Sequence, residues 1–573
     1  MTPHGWPAES LQDIEDRLCA PGEPFEMETL TIRGVPTRTW KNAPVSIRSL
    51  IEVARSHGER VVTIFEDERV TYEAQHRAVA MLAQALAARG IRRGDRVALA
   101  MQNLPEWPVA FFAITALGAI AVPLNAWSTG VELSHALADS GAKVLIADSA
   151  RWEKVAPLAA GLSTLTTTIV ARSLAVESSA FERLEEIIGP SGSWLELEEV
   201  LLPSTTIRPD DDATIFYTSG TTGSPKGAVG THRNIMTNVM SLAYVGARTV
   251  LRRGEALPEP TYRTALIVTP LFHVTACAAG LMVATAAGNT TIYMRKWDAL
   301  DAMRIIERER VSLTGGVPTI AWQLLEHPER YRFDLSSLES IGYGGAPSAP
   351  ELVRRIREEF GAMPANGWGM TETMATVTSH AAEDYLNRPD SCGPAVPVSD
   401  LRIVAEDGKT DLPVGAVGEL WARGPQVVRG YWQKPEATAA TFVDGWVRTG
   451  DLARLDSEGF CFVVDRAKDV VIRGGENIFS SEVENVLYEH PAVIDVAVVG
   501  LPHRILGEEP AAVVQLVAGS AATTEELIDW ARARLAPFKV PVAIQFLDEP
   551  LPRNPSGKIL KKDLFTLFSE PPI

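Results

Sequence analysis

The chain reads as an α/β protein of more than one domain. A large N-terminal region of helix-covered β-sheets, with a small β-rich subdomain, precedes a small α+β C-terminal unit. Three observations carry this. At 573 residues the chain is too long for one compact core. From Thr71 to Ile341, helical stretches alternate with short apolar strands. After about residue 395 the pattern changes to short alternating strands broken by Gly, Pro and Asp.

The elements follow in order. Thr71 to Arg89 reads as a helix with Val79, Leu82 and Leu86 on one stripe and Gly90 ending it. Asp95 to Leu99 is a strand. The apolar run Val109–Leu124 falls short of the ~20 residues of a membrane span and holds Gly118 and Pro123, so a buried helix followed by a buried strand is expected. A helix over 131–140 closes at Gly141 before the strand Val144–Ile146, and similar units recur from Ala265 to Ile341. Repeats of this kind imply a mostly parallel sheet covered by helices. Leu401–Val404 and Gly418–Trp421 are strands of the β-rich stretch, which ends near Val464. Asp465–Asp469 is a polar, exposed linker, and a further strand (Ala497–Val499) and helix (Thr524–Leu535) follow. The expected boundaries are 1–465 for the large domain, 395–465 for its β-rich part, 466–470 for a hinge and 471–573 for the small domain.

Composition narrows the function. Hydrophobic residues at 46% and charged ones at 22% are ordinary for a globular protein. A formal charge of −18 stands against a nucleic-acid partner, though not against a nucleotide held by a local cluster. The four cysteines (Cys19, Cys277, Cys392, Cys461) have no metal-site spacing, which suits a reducing cytoplasm. The opening residues lack a signal-peptide pattern and the last ones a peroxisomal tripeptide.

The most informative stretch runs from Tyr217 to Gly227, directly after the strand-like Thr214-Ile215-Phe216. Its glycines let consecutive N–H groups turn into one cavity, and its hydroxyls and Lys226 suit a polyphosphate. A flexible linker would need neither the strand nor the lysine. The kinase and ATPase phosphate loop does not fit either, because Lys226 is followed by Gly227 and no hydroxyl is left there for magnesium.

Four further groups of residues bear on chemistry. In Asn366-Gly367-Trp368-Gly369-Met370-Thr371-Glu372, glycines beside a tryptophan admit a planar ligand, and Thr-Glu offers oxygens to a hard cation. Asp451, after Gly450, could accept from two vicinal hydroxyls, or simply serve a turn. Lys558 lies between Gly557 and an apolar pair, where composition alone suggests a solvated tail residue. His273 follows Phe272 and precedes a run of Ala and Gly that leaves volume and offers no charge.

Together these motifs, in this order over about residues 60 to 565, resemble the adenylate-forming superfamily. That superfamily takes in acyl-CoA synthetases, aryl-CoA ligases, luciferases and adenylation domains; AMP-forming fatty acyl-CoA synthetases are the nearest likeness. The resemblance implies a large N-terminal and a small mobile C-terminal domain. It implies that Thr218, Ser219, Gly220, Thr221, Thr222, Gly223 and Lys226 hold the phosphates of ATP. Gly344 with Gly345, Ala346 and Pro347 would form one adenine wall, and Trp368 would lie beside the ring in the segment Gly367, Gly369 and Met370. By the same likeness Asn366 bonds the adenine amine, Thr371 contacts the α-phosphate, and Glu372 joins Thr218 around Mg2+. Asp451 and Arg466 would hold the ribose, Lys468 would be the pivot, and Gly474-Gly475 would line the channel for the pantetheine arm of coenzyme A. His273 would gate the acid site with Thr275, Cys277 and Gly344, and Lys558 would be the adenylation lysine.

The chemistry needs such lysines, because a carboxylate must attack the α-phosphorus of ATP, anion against anion. Losing one donor aimed at developing charge costs about 2.7–4 kcal/mol. The function implied is an AMP-forming acyl-CoA synthetase acting on an apolar fatty or aryl-alkanoic acid. Thr275 stands where ligases for hydroxycinnamates often carry Tyr. The partners implied are a small-molecule carboxylic acid, ATP and CoA, with no transmembrane segment and a homodimer left open. Three alternatives remain: an adenylating enzyme passing its acyl group to a carrier protein or amine, a luciferase-like oxygenase, and a non-catalytic nucleotide-binding module. Glu372, Asp451 and Lys558 together argue against the last.

Overall fold

The computed structural model describes residues 6–174, 179–218, 225–344, 350–517, 519–553 and 559–568. Two large sheets dominate the first two thirds of the chain. In the seven-stranded sheet, parallel strands Arg96–Ala100, Ile120–Pro123, Val144–Asp148 and Asp212–Tyr217 are flanked by the antiparallel edge Gly227–Thr231. In the eight-stranded sheet, Val61–Phe65, Thr290–Tyr293, Thr264–Ile267, Leu313–Gly316, Ser340–Gly344 and Met363–Met370 run parallel in that spatial order. Its two edges, Glu68–Thr71 and Ala375–Ala381, are antiparallel.

Helices Tyr72–Ala88 and Glu106–Ala116 share one core with strands of both sheets, Val62 and Phe65 from one and Val97 and Leu99 from the other. Every residue of Glu106–Ala116 is buried, the environment that an all-round apolar helix requires. The strand Ile120–Pro123 beyond it is buried too, which accounts for the long apolar run. Among the described residues no helix is long and apolar enough to cross a membrane. Thr71 caps the Tyr72–Ala88 helix by accepting from Ala74 N–H.

The β-rich region forms an antiparallel sheet of Asp400–Val404, Gly418–Arg423, Trp446–Leu455 and Phe460–Arg466. Beyond it, Val493–His503 and Gly507–Leu516 pair over nearly their whole length. They carry a core of their own with helices Ser480–Tyr488 and Thr524–Arg532. The molecule is thus α/β, with a large helix-covered part and a small α+β part.

At the other end, helix Leu11–Leu18 and the hairpin Met27–Ile32/Val35–Trp40 lie against the long helix His232–Arg252. Phe25, Trp40 and Tyr244 form a ring cluster with centroids 5.6–5.9 Å apart. Below it, Arg252 makes a two-nitrogen ion pair with Asp384, the closest contact at 2.7 Å, with both side chains at 5% exposure or less. Removing one partner strands a buried charge. Arg252→Met is therefore predicted to destabilise the large domain by about 3–5 kcal/mol, read as a lower urea midpoint; an unchanged midpoint would contradict the burial argument.

Candidate active site

Ligand sites of open α/β sheets lie beyond the carboxyl ends of parallel strands, and four of the singled-out residues lie there. Thr218 follows Asp212–Tyr217, His273 follows Thr264–Ile267, Gly344 ends Ser340–Gly344, and Thr371 follows Met363–Met370. Thr218 N–H donates to the Lys226 carbonyl at 2.9 Å, and Lys226 N–H to Thr218 Oγ1 at 3.4 Å, joining the two ends of the stretch read above as a phosphate loop. Ser219, Gly220, Thr221, Thr222 and Gly223 lie outside the described residues, as do Gly345, Ala346, Pro347 and Lys558.

Close approach explains the glycines around Trp368. A Cβ on Gly369 would stand 1.4 Å from the Ala375 carbonyl oxygen, and one on Gly367 2.8 Å from that of Thr378. Thr371–Thr373 then form one tight helical turn, after which Met374 and Ala375 take φ of 45° and 82°. Positive φ at two non-glycine residues is strained backbone. Glu372, in the turn just before them, is 7% exposed. Glu372 Oε1 accepts from the Tyr431 hydroxyl at 2.6 Å. Burial raises its pKa, opposed first by the Tyr431 hydrogen bond and also by the charges of Arg466 and Lys226. The Lys226 ammonium lies 5.1 Å from the centroid of the Tyr431 ring.

Asn366 accepts from Gly367 N–H at 2.7 Å and donates to the Tyr385 hydroxyl at 3.2 Å, so both ends of its amide have partners within the protein.

Asp451 differs from its sequence reading. It lies not after a turn but within strand Trp446–Leu455, where the register shifts between Trp421↔Arg448 and Glu419↔Leu452. Gly450 carries φ of 71° in this bulge. The Asp451 carboxylate is 5% exposed. Oδ2 accepts from Trp368 Nε1–H at 2.8 Å, and Oδ1 pairs with Arg466 Nε at 3.0 Å. Arg466 is its register partner on the next strand.

The linker also departs from its reading. Ala467 and Lys468 are exposed, but Asp465 is 8% exposed. Asp465 Oδ2 accepts from Ser480 N–H at 2.5 Å and from its hydroxyl at 2.9 Å. Lys561 Nζ in turn donates to Ser480 Oγ and pairs with Glu484, both at 2.7 Å. Burial raises the pKa of Asp465, with Lys561 opposing, while desolvation lowers that of Lys468. Gly474 and Gly475, with φ of 61° and 89°, make the two-residue turn of hairpin Val471–Arg473/Glu476–Ile478. On either side of residues 554–558, Arg553 bridges Ile559, and Leu560 N–H donates to the Pro552 carbonyl at 2.8 Å.

On the acid side, Asn103 pins the loop ahead of His273 by accepting from Leu271 N–H at 2.8 Å and donating to the Thr269 carbonyl at 3.0 Å. Thr275–Leu281 form a widened π-helical turn. Asn238, fully buried, donates to the Ala278 carbonyl at 2.8 Å and accepts from Thr376 N–H at 3.1 Å, tying that turn to strand Ala375–Ala381. Thr275 is exposed, whereas Cys277 is wholly inside the core. A Cβ on Gly344 would meet the Gly367 carbonyl at 3.1 Å. Tyr431, Asn238 and Asn103 went unread in the sequence. Each is joined to the site across many residues, 59 from Tyr431 to Glu372 and 138 from Asn238 to Thr376, and no local spacing marks such contacts.

The magnesium expectation can be tested against these donors. Among the described residues, no group of three or more His, Cys, Asp or Glu could hold a metal ion. Mg2+ does not require one, since it binds through one or two protein oxygens plus substrate phosphates. A buried carboxylate held by Tyr431 beside a phosphate loop fits that mode.

Comparison with known proteins shows the family. Residues 50–432 match the family described as AMP-binding enzyme, and residues 482–558 match the AMP-binding enzyme C-terminal domain. A feruloyl-CoA synthase of an Amycolatopsis species is 39% identical over 500 residues, covering 87% of this chain and 94% of that protein. A long-chain-fatty-acid–CoA ligase of Bacillus subtilis (strain 168) is 34% identical over 543 residues, covering 90% and 93%. Among solved structures, o-succinylbenzoate coenzyme A synthetase from Bacillus subtilis, in complex with ATP and magnesium ion, has a TM-score of 0.74 at 31% identity. That match covers 90% of this chain and 98% of the other.

The imidazole of His273 generates a prediction. Its Nε2 is buried with no hydrogen-bond partner among the described residues, and burial lowers its pKa to about 4. His232 at about 4 and His380 at about 3 are lowered by burial too. An unfolded imidazole binds a proton near pH 6.5, as these folded ones do not, so the unfolded state binds more protons between about 6.5 and 4. Stability is predicted to fall as the pH falls through that window. NMR titration of His273 should give a midpoint near 4, and one near 6.5 would contradict its burial.

Proposed function

The chain belongs to the AMP-binding enzyme family, and we propose that the residues gathered above run its two half-reactions in sequence. It is an AMP-forming acyl-CoA ligase that uses ATP, Mg2+ and CoA. The observation that carries the assignment of the site is the Asp451 carboxylate, held between Trp368 and Arg466 where the hinge begins. A carboxylate so placed can accept both ribose hydroxyls in short, charge-assisted bonds. The indole beside it offers a flat face to the adenine.

In the first half-reaction the acid's carboxylate attacks the α-phosphorus of ATP, the bond to the bridging oxygen breaks, and pyrophosphate leaves. Lys226 stabilises the departing charge, and Lys558, brought in by the small domain, stabilises the α-phosphate. Thr218 and Glu372 would hold Mg2+, which supplies further charge neutralisation. In the second, the small domain turns about Lys468 and withdraws Lys558, and the thiolate of CoA attacks the acyl carbon. AMP leaves and the thioester forms. The Gly474-Gly475 hairpin suits the passage of a thin pantetheine arm, since its turn carries no side chains.

For the acid, the run Ala276–Gly280 and the uncharged gate at His273 support an apolar tail. Thr275 speaks against a hydroxycinnamate, whereas one relative is a feruloyl-CoA synthase. A panel of fatty, aryl-alkanoic and hydroxycinnamic acids in a pyrophosphate-release assay separates these classes. We place the enzyme in the cytoplasm, a setting that suits its four unpaired thiols. The residues named all come from one chain, and a homodimer is a separate proposal resting on the family likeness.

The domain roles generate a paired prediction. Lys558→Ala should lower acid-dependent ATP–pyrophosphate exchange by about a hundredfold or more, yet leave conversion of supplied acyl-AMP with CoA near the parent rate. Lys468→Pro should do the reverse, sparing exchange and slowing thioester formation. Equal loss of both halves in either variant would overturn the role given to that residue.

A further inference from the structure

The segment Val427–Trp432 runs between two parts of the site that are far apart in sequence. Arg429 N–H donates to the Val229 carbonyl at 3.2 Å, Val229 N–H to that of Gly430 at 2.9 Å, and Trp432 N–H to that of Gly227 at 2.7 Å. These bonds fasten it to the strand that leaves the phosphate loop. On its other side, Val428 N–H donates to the Glu372 carbonyl at 2.9 Å. Tyr431, 8% exposed, repeats this bridge with its side chain. Its hydroxyl donates to Glu372 Oε1 at 2.6 Å, and its ring faces Lys226 Nζ at 5.1 Å from the centroid. Phe442 packs edge-on against the same ring at 5.6 Å, and Thr438 Oγ1 accepts from its backbone N–H at 2.9 Å, so the ring has little freedom to swing.

One side chain therefore touches both the acidic residue assigned to the cation and the lysine assigned to the distal phosphates. A carboxylate has two oxygens; a donor fixed on one leaves the other to be presented in a set direction. The ring face is attractive to an ammonium ion and holds Lys226 near the loop without neutralising it.

We propose that Tyr431 is a positioning residue for adenylation, orienting Glu372 toward Mg2+ through its hydroxyl and steadying Lys226 through its ring. This rests on the reading that Glu372 binds the cation. Tyr431 acts on the first half-reaction and has no part in the second, because thioester formation involves neither the pyrophosphate nor its cation.

The test uses the full-length enzyme and two single variants, Tyr431→Phe and Glu372→Gln, with their double variant. Mn2+ binding to each is measured by paramagnetic resonance in the presence of a non-hydrolysable ATP analogue. Mg2+ half-saturation is read from ATP–pyrophosphate exchange, and the CoA half-reaction from supplied acyl-AMP. Tyr431→Phe is expected to weaken Mn2+ binding and raise Mg2+ half-saturation by about ten- to a hundredfold, the scale of one hydrogen bond to a charged group. The KM for the acid and the CoA half-reaction should stay at parent values, and the double variant should be little worse than Glu372→Gln alone. If Glu372→Gln loses Mn2+ binding while Tyr431→Phe binds as the parent does, the positioning role is overturned and the cation reading stands. If neither variant changes Mn2+ binding, the cation reading itself is wrong. Should Tyr431→Phe fail to fold, Tyr431→Trp keeps a ring and an N–H donor; parent-like Mn2+ binding with its ring N–H unable to reach Glu372 overturns the proposal.

Discussion

The Asp451 carboxylate is the junction on which the arrangement of this site depends. It sits at a bulge in the β-rich sheet, out of water, and it is satisfied by an indole N–H from the large sheet and a guanidinium at the start of the proposed hinge. A buried carboxylate is costly unless paired and hydrogen-bonded, so the partners cannot drift independently. The next residue along from Arg466 on the same strand, Asp465, faces the other way and is bonded to Ser480, which Lys561 also touches. A chain of polar contacts thus leads from Trp368 to the end of the chain that carries Lys558. The proposed rotation about Lys468 would exchange the contacts of Asp465 while leaving those of Asp451 in place.

Charge is distributed to suit such a cycle. Lys226 is fixed to the large domain through the closed base of its loop, and Glu372 is fixed opposite by strained backbone and by Tyr431. In the proposed cycle both serve the half-reaction that consumes ATP. The charge that must come and go in that cycle, that of Lys558, belongs to the smaller unit. Two anions can be brought to reaction only while enough positive charge surrounds them in a low-dielectric site, and the second acceptor can enter only once part of that surface has moved.

Much of this was legible in the sequence because it rests on local rules. The alternation of helix and strand from Thr71 onward follows from periodicity and from caps such as Thr71 and Gly141. The glycines at 367 and 369 mark places where backbones meet too closely for a Cβ. By sequence the pair Gly450-Asp451 places the carboxylate just after a turn; a bulge inside a strand depends on the register of the neighbouring strand, which spacing does not reveal. Asp465 read as exposed for the same reason, since its partners Ser480 and Lys561 lie on other elements. Nothing in the local sequence marks Tyr431, whose hydroxyl bonds Glu372 from 59 residues away.

The most direct test of the two-step account uses one sample of the intact protein with labelled pyrophosphate. The account predicts exchange of label into ATP that requires an apolar acid and Mg2+ but no CoA, and AMP release that begins only when CoA is added. Exchange that requires CoA, or steady AMP formation with no acid present, would contradict it.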